Sequence, residues 1–133
     1  ELYACLALRI RVFVIEQQCP YQDADGKDRH SHHLFALLGE TCLATLRLVH
    51  PGVSYPEWSI GRVASDPQHR MTGLGRALMV RAMQWLRDEQ GNPPVRISAQ
   101  QYLKKFYEDH GFIQVSEPYL EDNIPHIEML YST

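Results

Sequence analysis

The sequence predicts a mixed α/β domain with the element order α-β-β-β-α-β-α-β-β. Three observations predict it. Apolar residues recur every three to four positions in two long stretches, 2–13 and 74–86, as on the buried face of an amphipathic helix. The segments 33–38 and 42–49 are short apolar runs separated by Gly39-Glu40-Thr41, the pattern of a β-hairpin. The chain has 133 residues, 44% of them hydrophobic, enough for one core and with no linker that would divide it.

The first helix is expected from Leu2 to about Phe13, docking through Leu2, Leu6, Ile10 and Phe13. The Pro- and Asp-rich stretch 19–28, with its Asp25-Gly26 pair, reads as a polar loop. After the hairpin, the turn-rich break 51–56 leads into a third strand, about Glu57 to Ser65. Leu74, Ala77, Leu78, Ala82, Trp85 and Leu86 carry the second helix to about Glu89, and Gly91-Asn92-Pro93-Pro94 stops it. Val95 to Ala99 alternates as a strand. Tyr102 to His110 forms a short helix closed by Gly111. Phe112–Ser116 and His126–Tyr131 are the last strands, joined by a loop containing Pro118 and Pro125. The chain opens on Glu1 with residues already at helical spacing, so a preceding segment is expected to be missing.

Composition narrows the function. Thirteen Lys and Arg against 16 Asp and Glu give a formal charge of −3, which offers no broad cationic face for nucleic acid or anionic membrane. No apolar run approaches the roughly 20 residues that span a bilayer, and the expected location is the cytoplasm. Cys5, Cys19 and Cys42 lack metal-site spacing and read as buried free thiols.

The most informative segment is Arg70-Met71-Thr72-Gly73-Leu74-Gly75, between an expected strand and an expected helix. Unpaired N–H groups at a helix N-terminus converge on one spot, the helix dipole favours negative charge there, and glycines let a phosphate approach the backbone. A pyrophosphate would suit it; a plain strand-to-helix turn would use the same glycines. A dinucleotide fingerprint fails at Leu78, and Gly75-Arg76-Ala77 is not a Walker loop.

These residues resemble the GNAT superfamily of acyl-CoA-dependent N-acetyltransferases, whose signature is Arg/Gln-x-x-Gly-x-Gly/Ala. Val63-Ala64-Ser65-Asp66-Pro67 and Phe106-Tyr107-Glu108-Asp109-His110-Gly111-Phe112 resemble the family's preceding strand and its late helix. A narrower resemblance, to the ElaA-like branch, rests on 11–17, Tyr21, 25–28, 60–63, 98–100 and 124–127. It implies an acyltransferase fold: a mixed, mostly antiparallel sheet flanked by helices and splayed at two central parallel strands. The family's opening strand has no counterpart here, and Ser65 replaces a more typical apolar residue.

The resemblance further implies transfer of acetyl from acetyl-CoA to a primary amine by direct attack, with no metal. Backbone groups of Val63, Ala64 and Ser65 would hold the pantetheine arm. Arg70, Met71, Thr72, Gly73, Leu74, Gly75 and Arg76 would hold the pyrophosphate. Tyr107 is the candidate general acid, since a phenol and a thiolate have comparable basicity; packing with its hydroxyl at the surface is the alternative. Glu57 is the candidate general base, with Glu16, His33 and His126 in the acceptor pocket, although a water relay would need no single base. The His30–His33 cluster near Asp23, Asp25 and Asp28 lacks the ligand pattern of a calcium loop. Arg9, Arg11, Arg47 and Arg62 read as anchors for carboxylates, the protein's own or a substrate's. The expected partners are a small amine or peptide amine and, as in many family members, a second copy in a homodimer. An acyl-CoA-binding or interaction module without turnover is the competing reading.

Overall fold

A computed structural model describes residues 1–17 and 23–132, with 70–72 described by backbone alone. Cys19 and Tyr21 lie outside the described residues. The order is α1 (Leu2–Arg9), a π-helical continuation (Ile10–Glu16), a 3-10 turn (Lys27–His30), β1 (Ser31–Leu38), β2 (Thr41–Val49), β3 (Ser59–Ser65), a 3-10 turn (Pro67–Thr72), α2 (Leu74–Glu89), β4 (Val95–Gln100), a 3-10 turn (Gln101–Leu103), α3 (Lys104–Glu108), β5 (Ile113–Gln114), β6 (Tyr119–Glu121) and β7 (Ile124–Tyr131).

The strands form two antiparallel sheets, ordered β1-β2-β3 and β4-β7-β5, with β6 also paired to β7. They meet at a parallel bridge between Trp58 and Val95, where the Arg96 N–H donates to the Trp58 carbonyl at 2.9 Å. Beyond that bridge β3 and β4 diverge, which is the expected splay. A bulge sharpens it. Thr45 pairs with Ala64 and Arg47 with Gly61, so Leu46 stands opposite both Arg62 and Val63, and Arg62 takes a left-handed φ of 50°. Such an extra residue bends a strand and re-aims its neighbours.

Helix α2 buries Leu78, Met79, Ala82, Met83 and Leu86 against Leu46, Leu48 and Ile60, and this core continues through Val95, Ile97, Ile127 and Met129 of the second sheet. The smaller core is Cys5, Leu8, Val12, Cys42 and Ala64, where α1 and its continuation cover the other side. The buried stripe of α1 differs from the expected one. Leu2 and Ile10 are exposed, whereas Cys5, Leu8 and Arg9 are buried. Arg9 has the spacing of a core residue but a charge, and only distant aspartates make its burial tolerable.

Two further differences are local. The third strand begins at Ser59, not Glu57. The expected loop around Pro118 contains β6, because Asp122 and Asn123 both adopt positive φ (51° and 62°) and close a tight β6–β7 hairpin. Asp and Asn tolerate that conformation, and two such residues in succession define a hairpin-forming turn. Gly111 ends α3 as expected, at φ 93°, with its N–H donating to the Glu108 carbonyl and the Phe112 N–H to Tyr107; a Cβ there would meet the Tyr131 ring at 3.2 Å.

Candidate active site

The splay between β3 and β4 opens two connected hollows. One is a groove of about 610 Å³ between the first helix, β3, the start of α2 and α3. The other is a polar cavity of about 390 Å³, lined on one side by Arg47 and Arg62 of the first sheet with Asp25 and Lys27 of the preceding loop, and on the other by Ser98, Glu121 and His126 of the second sheet with Asp122 of its hairpin turn. Both fall in the size range of small-molecule sites, roughly 300–1,000 Å³. Phe13, Gln17, Val63, Gln100, Leu103 and Tyr107 line both, so they mark the junction. A Gln100–Gln17 hydrogen bond of 3.3 Å ties β4 to the first helix there.

The groove has the features of an anion cradle. Among the described residues no side chain caps the N-terminus of α2, and its first turn has no acidic residue; the first intrahelical bond of that turn runs from the Ala77 N–H to the Gly73 carbonyl, at 3.0 Å. The N–H groups before it therefore have no helical acceptor. Gly73, at φ 79°, has open space where a side chain would be, and a Cβ on Gly75 would come within 3.3 Å of Ser65 Oγ. Both glycines, Arg76, Val63, Ala64 and Ser65 line the groove. The Leu74 side chain turns into the core, leaving only its backbone on that side. Residues 70–72 form the 3-10 turn just before the cradle; the side chain of Arg70 is not described. Arg76 is held over the Phe106 ring at 5.6 Å and pairs with Asp109 at 3.4 Å.

Tyr107 lies at the junction and is 7% exposed. Burial, with a smaller contribution from Tyr102, pushes its phenol above the usual value. His126 lines the cavity; its Nδ1–H donates to the Ile124 carbonyl at 2.7 Å, which leaves Nε2 facing Glu121 Oε2 at 3.4 Å. Glu16 lines the groove, not the cavity. His33 lines neither: its Nε2 meets the Asp28 carbonyl at 3.1 Å and so braces the loop beside the cavity.

Glu57 is the residue the fold places elsewhere. Its two carboxylate oxygens accept from Arg96 Nε and an Arg96 terminal nitrogen, each at 3.1 Å, and it lines neither hollow. Hydrogen bonds from Arg96 hold its carboxyl below the usual range, which weakens it as a base. Starting at Ser59, β3 does not extend the alternation back to it.

The arginines and aspartates that the sequence presents separately form one closed ring. Arg9 meets Asp23 at 3.1 Å, Asp23 meets Arg62 at 2.9 Å and Arg62 meets Asp25 at 3.4 Å; Asp25 then meets Arg47 at 2.8 Å, Arg47 meets Asp28 at 3.1 Å and Asp28 returns to Arg9 at 2.8 Å. Arg11 stands outside it, 3.6 Å from Asp66. The Arg47 hydrogen bond dominates in holding Asp25 well below the usual carboxylate range. Burial alone would raise Asp28, but Arg9 and Arg47 outweigh it. Among the described residues no group of three His, Cys, Asp or Glu is placed to hold a metal ion. Tyr55, Ser98, Glu121 and Asp122 also line the cavity. The Asp122-Asn123 pair was the available signal for the last two, since it marks the hairpin that carries them.

A splayed pair of sheets with an uncapped, glycine-opened helix start beside it defines a CoA-dependent acyltransferase fold, and the chain belongs to the GNAT acetyltransferase family, whose domain it matches over residues 10–133. Within that family it is a member of the ElaA-like branch: Escherichia coli ElaA is 38% identical over 97% of this chain and 86% of its own length, and a UPF0039 protein of Synechocystis is 42% identical over 98% and 85%. The crystal structure of ElaA superposes with a TM-score of 0.90 at 37% identity, covering 98% of this chain and 89% of that one. That of an acyl-CoA N-acyltransferase from Pseudomonas aeruginosa gives 0.92 at 46% identity, covering 99% and 90%. No helix among the described residues is long and apolar enough to cross a membrane.

Proposed function

We propose that this protein is an acetyl-CoA-dependent N-acetyltransferase that acylates a primary amine by direct attack within a ternary complex. The observation that carries the reading is the junction: Tyr107 and Val63 line both the anion-cradling groove and the polar cavity, so a donor in one and an acceptor in the other would meet beside them.

When bound, the donor supplies a thioester whose C–S bond breaks as the amine N–C bond forms. The first-turn N–H groups of α2, with Gly73, Gly75 and Arg76, are suited to hold its pyrophosphate. Backbone groups of the bulged stretch at Val63 and Ala64, which line the groove, are suited to align the pantetheine and polarise the carbonyl. Tyr107, kept protonated by its burial, is positioned to hand a proton to the departing thiolate. His126 Nε2, with Nδ1–H committed to Ile124, is the best-placed acceptor for the amine's proton, and Glu121 beside it stabilises the resulting imidazolium. This assigns the base to His126 in place of Glu57. Among the described residues, Cys5 and Cys42 lie in the smaller core and line neither hollow, so neither of these two thiols is placed to carry an acyl group.

Isothermal titration with acetyl-CoA and CoA, followed by an amine library read for thiol release, tests the proposal. Saturable binding with release for one amine class is expected. Binding without release from any amine would favour a non-catalytic acyl-CoA-binding module, and no binding by folded protein would overturn the reading of 70–76.

A further inference from the structure

The polar cavity is lined by unlike charges from its two sides, and the sides belong to different sheets. On the side of β2 and β3 stand Arg47, Arg62 and Lys27. Arg47 is only 4% exposed, gives its terminal nitrogens to Asp25 and Asp28, and leaves its Nε–H without a protein acceptor. The closed ring balances its three arginines against three aspartates, so among the described residues that line this side the ammonium of Lys27 is the charge in excess. Its backbone N–H is fixed by Asp25 Oδ1 at 3.1 Å, within the loop the ring clamps. On the other side the β6–β7 hairpin contributes Glu121, Asp122 and His126.

A simple monoamine would use only the acidic side, and a polyamine would meet the excess cation of the other. A molecule carrying an amine at one end and a carboxylate at the other matches both. Resting on the acyltransferase reading above, we propose that the acceptor is a zwitterionic α-amino acid: its carboxylate is read by Lys27 on the arginine side, while Glu121 and His126 receive its amino group.

The test compares the standard amino acids with their carboxamides and decarboxylated amines at neutral pH, using acetyl-CoA and the full chain, with each rate expressed per neutral amine. At least one acid should exceed its carboxamide in kcat/KM on the order of tenfold, the range one charge-assisted hydrogen bond supplies. Lys27→Met should bring that ratio close to one, chiefly through KM, and Lys27→Arg should restore it. Carboxamides or decarboxylated amines equal to or better than every acid would overturn the inference while leaving the acyltransferase intact. So would a ratio that Lys27→Met does not move, or acetyl-CoA binding with no acid acylated. Absence of acetyl-CoA binding would instead remove the acyltransferase reading itself.

Discussion

Arg9 Nε stands 3.1 Å from Asp23 Oδ2, and the two side chains are 1% and 3% exposed. This pair joins the first helix to the loop beside the cavity, and through Asp23 it reaches Arg62 at the bulge of β3. The helix, the loop and the bulged strand are thereby fixed by one charge network. Removing a single partner from such a buried pair leaves an uncompensated charge, which typically costs about 3–5 kcal/mol. Asp23→Ala should therefore lower unfolding free energy by about 3 kcal/mol in denaturant titration. A change below about 1 kcal/mol would show the ring to be dispensable.

The same ring sets the acid response. Asp25 and Asp28 have folded values depressed by their arginines, so each contributes stability that is present in full above the unfolded value, about 3.9, and is lost as pH falls through the lower folded value. The protein should lose stability steeply below about pH 4. Arg47→Met should make that slope shallower, chiefly through Asp25, because the Arg47 hydrogen bond is what holds Asp25 down while Arg9 still holds Asp28. Thermal melts across pH 2–7 for the two proteins would check it.

Tyr107→Phe removes the proposed proton donor without altering the ring's packing. Turnover should fall by about a hundredfold, in line with general acid catalysis, while acetyl-CoA affinity shifts less than about twofold. Because burial raises the phenol above its ordinary value, the wild-type rate should show no alkaline decline up to about pH 10.

Glu57 and His126 separate the two candidate bases. Glu57→Gln keeps a neutral partner for Arg96 outside both hollows and should leave kcat/KM close to wild type at every pH. His126→Ala should lower kcat by about a hundredfold. The reverse pattern would return the base to Glu57.

Gly75 tests the cradle. A Cβ there already approaches Ser65 Oγ to 3.3 Å, and Gly75→Val adds bulk on the groove wall. Acetyl-CoA affinity should fall at least about tenfold in titration, with the melting temperature little changed.

The order of elements apart from β6, the first hairpin, the second helix and the glycine-opened turn before it were legible because each depends on local rules: periodicity, turn residues and capping positions lie within a few residues of one another. Tyr107 was legible as a candidate for the same reason, since Gly111-Phe112 marks its helix. The stripe of α1 misled because Arg9 carries a charge, and nothing nearby in sequence says that Asp23 and Asp28 neutralise it. Glu57 misled because strand alternation assumes a strand, and Arg96, on β4, captures its carboxylate instead.

Short-range patterns along the chain specify the family, the two long helices, the first hairpin and the phosphate-suited turn. Which charges pair depends on the folded arrangement. Arg9, Arg47 and Arg62 find Asp23, Asp25 and Asp28 because the first helix, the 23–28 loop and the bulged β2–β3 pair come together, and His126 finds Glu121 across the β6–β7 hairpin. Electrostatic partners depend on separation in space and on burial, and both quantities exist only once the chain has folded.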